Sequence, residues 1–386
     1  MPVPSGLIAH VHPGAGAGVR VVGTISPCGR SRCAGRRHEL TLIGQRLPGG
    51  GWEDRPMESA RVPWDVAWHD ALYGPGGFYR RTEGPAGHFS TSVGGIPHAP
   101  AVIASAVVAL ARRHGLDTIV DLGAARGDFI TAVHALAPGM RCVGVDVVDR
   151  PKDLADDIGW IISPGGAQLP GAVSGLTASL VFAHEWLDVV PATVAERDPC
   201  GQWRRQDVEV STGDTHPGEP VTVAELAWLE RWAIDAGAVQ TRVAEVGISR
   251  DHSFLDLLGR VEQGLVVAVD YGHRSSDVPA EGTLTGYRVG RAMAPLPDGS
   301  MDLTAHVHID SLVESARHHP GVSVTLGRQR DVLNDLLGPP RMPAHATART
   351  RPAAYLHAVA EHNAHRVLLE RGGFGDFWWV LAERTG

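Results

Sequence analysis

Two periods of apolar and polar residues alternate along this chain. Short apolar runs closed by turn-forming or acidic residues occur at Thr118–Leu122, Arg141–Val145, Ser179–Ala183, Gly264–Val269, Val322–Leu326 and Phe377–Leu381. Apolar runs of this length between turn signals read as buried strands. Between them the apolar residues return at helical spacing. A helix is expected from near Pro63, where Trp64, Val66, Trp68 and Leu72 share the pattern, and Gly74-Pro75-Gly76-Gly77 stops it. Further helices are expected over 99–114, which ends in cations that suit the helix dipole, over 128–137, over 221–236 and near Asp310–His318. Strands alternating with helices imply an α/β domain with a mostly parallel sheet. Arg274–Pro297 reads as a long Gly- and Pro-rich loop, and no fixed-period repeat is visible.

Residues 1–56 do not fit this alternation. They are rich in Gly, Pro and Arg, and read as a disordered leader or as the product of a mis-assigned start, with Met57 as the alternative. The domain proper is therefore expected at 57–386, with an insertion at about 200–260.

Composition narrows the class without changing that picture. The chain has 386 residues, 43% hydrophobic and 20% charged, as in ordinary globular proteins. A formal net charge of −8 with no long basic run argues against nucleic acid as a partner. Lys152 is the only lysine, so the arginines reflect a GC-rich, bacterial coding bias. Of four cysteines, only Cys28 and Cys33 are close in sequence, which supplies neither a zinc ligand set nor a disulfide framework. No apolar run reaches a membrane span. These features point to the cytoplasm, with no metal and no membrane.

Three constellations carry candidate chemistry. In the first, Thr118–Leu122 runs into Gly123-Ala124-Ala125-Arg126-Gly127 and then into a helix. Gly123 and Gly127 leave the backbone open to a ligand. Asp146 ends the next strand, 25 residues after Asp121, where a carboxylate can accept from both hydroxyls of a ribose. The pattern suits a nucleoside cofactor and does not by itself separate NAD from S-adenosyl-L-methionine. The acid two residues before the first glycine is more typical of methyltransferases. The second is His184-Glu185-Trp186-Leu187-Asp188, at the carboxyl end of a strand, where open α/β sheets bind ligands. Glu185 and Asp188 could face one cavity and hold a cationic acceptor. Alternatively Asp188 caps the following segment and Glu185 is a solvated acid. The third comprises Asp270-Tyr271-Gly272, Gly282-Thr283-Leu284 and Asp302 to His308. Asp270 is placed for ligand contact. His306 and His308 share a strand face, but with no third ligand a structural or substrate-facing role is expected.

In this order, these segments resemble the MidA family of methyltransferases, whose mitochondrial relatives include a complex I assembly factor. Ala71 to Tyr79 resembles the family's opening segment, and Gly87-His88-Phe89-Ser90-Thr91-Ser92 its Gly-Asp-Phe loop. Asp121 to Gly127 resembles its cofactor loop, and His184 to Pro191 its Asn-Glu-x-x-Asp segment. Asp270–Gly272, Gly282–Leu284 and Asp302–Val307 match the rest. The resemblance implies a Rossmann-like core with a mostly parallel sheet and an inserted helical lobe. It implies S-adenosyl-L-methionine as cofactor, held by Gly87, Phe89, Thr91, Asp121, Gly123, Ala125, Gly127 and Asp146. It implies an acceptor held by His184, Glu185 and Asp188, with a protein arginine as substrate as in the mitochondrial relatives.

The sequence also departs from the family. His88 replaces Asp, Val93 and Gly94 replace Pro-Glu, Ala125 replaces the middle glycine and His184 replaces Asn. A divergent subfamily with another acceptor, such as a small molecule, therefore stays open, as do a copy of weakened activity and a non-catalytic scaffold retaining the fold.

Overall fold

The structure is a computed structural model that describes residues 61–81, 95–233 and 240–385. The leader at 1–56, with Cys28 and Cys33, and the candidate residues Gly87, Phe89 and Thr91 lie outside the described residues.

Seven strands form the central sheet: β1 (Thr118–Leu122), β2 (Arg141–Asp146), β3 (Gly159–Ile162), β4 (Leu176–His184), β5 (Val261–Asp270), β6 (Val322–Arg328) and β7 (Trp378–Arg384). Their order is β6-β7-β5-β4-β1-β2-β3. The first five strands pair in parallel. β7 runs antiparallel to both its neighbours, β5 and β6. The chain winds one way from β1 through β2 to β3, and the other way from β4 to β5. The crevice outside the carboxyl ends of β1 and β4 is thus the topological switch point, where sheets of this kind bind ligands. The all-parallel order of dinucleotide-binding folds has no counterpart to the reversed β7.

Strand alternation sends successive side chains to opposite faces. On one face Leu180, Phe182, Leu265, Val267 and Val269 pack under the helices Ala99–Arg113, Asp128–Leu136 and Pro352–Leu368. On the other, Val181, Ala183, Val266 and Ala268 pack against Phe254, Leu257, Leu258 and Leu312 of the helices Ile248–Arg260 and Ile309–Arg317. Both faces being covered explains why these strands read as continuous apolar runs. Among the described residues, no helix is long and apolar enough to cross a membrane.

The inserted lobe differs from the expectation of a helical insertion at about 200–260. It begins earlier and is an antiparallel sheet of Thr193–Arg197, Trp203–Glu209, Thr215–Pro220 and Val243–Val246, joined by Arg61–Pro63. The helix Val223–Trp232 buries Trp228 and Leu229 against Ala195, Trp203 and Ala244. Thr222 and Glu225 close its N-terminus in a reciprocal capping box. The helix Trp64–Tyr73 packs on Val194 and Val208. The helix Ile248–Arg260, inside the expected insertion, belongs to the central core instead. The expected loop at 274–297 also contains a hairpin, Thr285–Arg288 with Arg291–Met293, turned by Val289 and Gly290 at φ 49° and 71°.

Candidate functional site

Gly123, Ala125 and Gly127 follow β1 with left-handed backbones, at φ 83°, 47° and 77°. This sequence of turns carries the chain out of the sheet and into the helix Asp128–Leu136. A Cβ built on Gly123 would meet no atom within 4 Å, so its φ and not its surroundings demands glycine. The space beside it is open for a ligand. Ala125 takes a conformation that glycine takes at less cost, and its N–H donates to Asp146 Oδ2 at 2.7 Å. The other Asp146 oxygen accepts from the Val148 N–H at 3.1 Å. Asp146 therefore ties the loop to the end of β2, and its carboxylate keeps capacity for a further donor.

Asp121 is buried at the end of β1, and its Oδ2 has no hydrogen-bond partner among the described residues. Burial, followed by the nearby Asp146, pushes its carboxyl well above the usual range. Asp146 is raised in the same direction by burial, opposed by the N–H groups it accepts. An orphaned buried oxygen facing this loop is the kind of group a ligand amine or hydroxyl satisfies.

Across the switch point, β4 ends in His184. Glu185 then bends away at φ 48°, a left-handed backbone for a non-glycine residue, with its N–H on the Val269 carbonyl at 2.8 Å. The following residues form a turn rather than a helix. Glu185 and Asp188 consequently sit in different surroundings, with Glu185 partly exposed and Asp188 2% exposed. Burial raises Asp188 to about 6, opposed by the Tyr271 hydroxyl and by Arg250. One of its carboxyl oxygens has no partner among the described residues. His184 is buried against Phe182 and Phe377, with ring centroids 5.5 and 6.4 Å away. Its Nδ1 lies 3.3 Å from Glu185 Oε1. Desolvation lowers its pKa to about 3, so it is a neutral hydrogen-bonding group at physiological pH.

Asp270 does not take the ligand-contact position expected of it. Its oxygens accept the N–H groups of Leu187, Asp188 and Tyr271 at 3.0, 3.2 and 3.0 Å, which fixes the turn after β4. His308 is also structural, because its Nδ1 caps the next helix through the Ser311 N–H at 3.2 Å. His306 stacks edge-on to Tyr271 at 5.4 Å.

The sequence reading missed the group that organises this side of the crevice. Arg250 is 1% exposed and donates to the carbonyls of Val190, His306 and Asp188 at 3.1, 2.7 and 3.0 Å. The available signal was a charge at helical spacing from Phe254 and Leu257, beside a second at Asp251, on an apolar helix face. Tyr271 was noted only as part of a motif. It bonds Thr304 Oγ1 and faces Asp188, and burial raises its hydroxyl well above the usual range. Asp302 is likewise buried and accepts from the Tyr79 hydroxyl at 2.8 Å.

Comparison with known proteins supplies a family likeness over part of the chain. Residues 146–326 match the model of a family described as S-adenosyl-L-methionine-dependent methyltransferase. No curated protein matches the chain. A Burkholderia thailandensis protein solved with bound S-adenosyl-homocysteine is similar in structure, at 20% identity and TM-score 0.65, over 84% of this chain and 89% of that one. A native crystal structure of a protein of the same superfamily and organism is similar at 22% identity and TM-score 0.63, over 84% and 87%. At these identities the structural likeness speaks for the fold. Over residues 146–326 the chain is thus similar to that methyltransferase family, and its fold is that of the Burkholderia proteins.

Proposed function

We propose that this chain is an S-adenosyl-L-methionine-dependent methyltransferase whose acceptor is a guanidinium nitrogen, with a protein arginine as substrate. The observation that carries the reading is the acidic lining of the switch-point crevice. Asp121 and Asp146 end β1 and β2, Glu185 and Asp188 follow β4, and burial raises Asp121, Asp146 and Asp188. A cofactor carrying an amino group, a ribose and a sulfonium suits this lining.

Asp121 would take the cofactor's amino-acid end, Asp146 the ribose hydroxyls, and the open backbone at Gly123 would let the ligand approach. When bound, S-adenosyl-L-methionine supplies a sulfonium methyl for in-line transfer. The enzyme's part is alignment and proton handling. Glu185 orients a cationic nitrogen from the accessible side. Asp188, near neutrality in its proton affinity, accepts the proton that the nitrogen loses.

A small-molecule acceptor is the second reading, favoured by His184. A neutral imidazole packed between Phe182 and Phe377 suits a less polar acceptor than a guanidinium does.

The test is labelling of a lysate from a deletion strain with tritiated cofactor, followed by mass spectrometry of the labelled species. Labelled protein arginine supports the reading, and label confined to small molecules selects the second one. Cofactor binding without transfer would point to a scaffold. No calorimetric binding of S-adenosyl-L-methionine, together with an Asp146→Ala variant indistinguishable from wild type, would overturn the cofactor assignment.

A further inference from the structure

His98, His357 and Glu361 bring their donor atoms together, all within 4.8 Å of one another. Among the described residues no other trio of His, Cys, Asp and Glu converges in this way. We propose that these three side chains form a binding site for a divalent cation of the zinc class.

Two separate elements build the site. His357 and Glu361 are one turn apart on the helix Pro352–Leu368, so they project from one face. Their side chains already meet, with Nε2 3.4 Å from Oε1. His98 reaches them from the N-cap of the helix Ala99–Arg113, where its backbone is left-handed at φ 67°. Non-glycine residues adopt that region at a cost, often where a side chain is needed in one place. The conformation brings the His98 ring within 4.5 Å of the His357 ring, centroid to centroid and edge to face.

The donor set selects the metal class. Two imidazoles and one carboxylate suit zinc, and the fourth position of a tetrahedral site would fall to water. Zinc–nitrogen bonds of about 2.0–2.1 Å place neighbouring donors about 3.4 Å apart. The side chains therefore need to close by about an ångström, which rotation of half-exposed groups supplies. A bound ion would clamp the start of one helix to the other, and would stabilise the folded chain by mass action. The proposal does not rest on the methyltransferase reading, because none of the three residues has a part in it.

The test uses the full-length chain, stripped with a chelator and titrated with zinc sulfate by calorimetry. Cobalt(II) absorption reports the donor geometry. The wild type should bind one tight equivalent and melt at a higher temperature with zinc. His98→Asn keeps the tolerance for a left-handed backbone and removes the imidazole. His357→Ala preserves the helix. Each should abolish the tight equivalent and the melting shift, while His252→Ala, an exposed histidine outside the trio, should retain both. Glu361→Gln preserves size and helix and should weaken zinc at least tenfold. A wild type without a tight equivalent would overturn the proposal. So would a tight equivalent that survives in His98→Asn/His357→Ala, or unchanged affinity in Glu361→Gln.

Discussion

A left-handed backbone recurs around the crevice, at Gly123, Ala125, Gly127 and Glu185. Glycine bears that conformation at little cost, whereas an alanine bears about 1–2 kcal/mol. Ala125→Gly should therefore stabilise the protein. Offset by the greater freedom of glycine in the unfolded chain, the gain should be about 0.5–1 kcal/mol by denaturant titration. Gly123→Ala should cost about 1 kcal/mol through φ alone, since no protein atom stands near the new methyl. Its larger effect should be on S-adenosyl-L-methionine affinity, because the methyl would occupy the space left for the ligand. An unchanged affinity would mean that the ligand does not pass Gly123. Asp188 offers a test of opposite sign. Its folded pKa of about 6 lies above the ordinary 3.8, so the folded state binds more protons between those values and loses stability as pH rises through them. Asp188→Asn should stabilise by about 3 kcal/mol at most above pH 6. The gain should vanish below pH 3.8, and methyl transfer should fall at every pH.

Among the elements, the turn after β4 depends on groups far from it in sequence. Arg250 holds the carbonyls of Asp188 and Val190 on one side and that of His306 on the other. Arg250→Leu would leave the Val190 and His306 carbonyls without their Arg250 donor, leave the Asp188 carbonyl with the Ala305 N–H alone, and remove a cation from among Asp188, Asp270 and Glu245. A loss of about 3–5 kcal/mol is expected by urea unfolding. Arg250→Lys should recover little, because an ammonium cannot span three carbonyls set around a planar fork. The same long-range dependence separates what the sequence discloses from what it hides. β1 is legible to the residue because it is buried on both faces and ends in Asp121 and Gly123. β2, β4 and β5 are legible for the same reason. The lobe is not, because Thr193–Arg197 and Trp203–Glu209, although central in its sheet, are only half-buried and their patterns are broken by Glu196, Arg204 and Arg205. The helix Pro352–Leu368 also escapes notice, since it buries only Ala364 and Leu368. In the site, the positions of Asp121, Asp146, Glu185 and Asp188 at strand ends were readable. The role of Asp270 was not, because a strand-end acid that binds a ligand and one that ties a neighbouring turn have the same sequence.

On the scale of the whole molecule, buried titrating groups of both signs set how stability responds to acid. Burial lowers His184 and His273 to about 3 and His308 to about 4. Each remains neutral in the fold while the unfolded chain takes up a proton near 6.5, so each contributes stability that is lost as pH falls. Asp188 and Asp251, raised to about 6, act in the opposite sense below that pH. Below pH 6.5 each histidine lowers stability as acid is added, while the raised carboxyls of Asp121, Asp270 and Asp302 act against them. Between 6 and 3.8 the carboxylates offset part of the loss. His308 isolates one histidine's contribution. It lies between Trp228, Trp232 and His273, with Asp310 and Asp277 opposing the depression. Its Nδ1 caps the following helix, a task that asparagine also performs. His308→Asn should therefore fold and keep the cap, while removing one proton uptake from the unfolding reaction. Relative to wild type, its unfolding free energy should decline less from pH 6.5 to 4, by about 3 kcal/mol at most. Parallel curves for the two proteins over that range would show that His308 titrates alike in the folded and unfolded chain, and would remove it from the acid response.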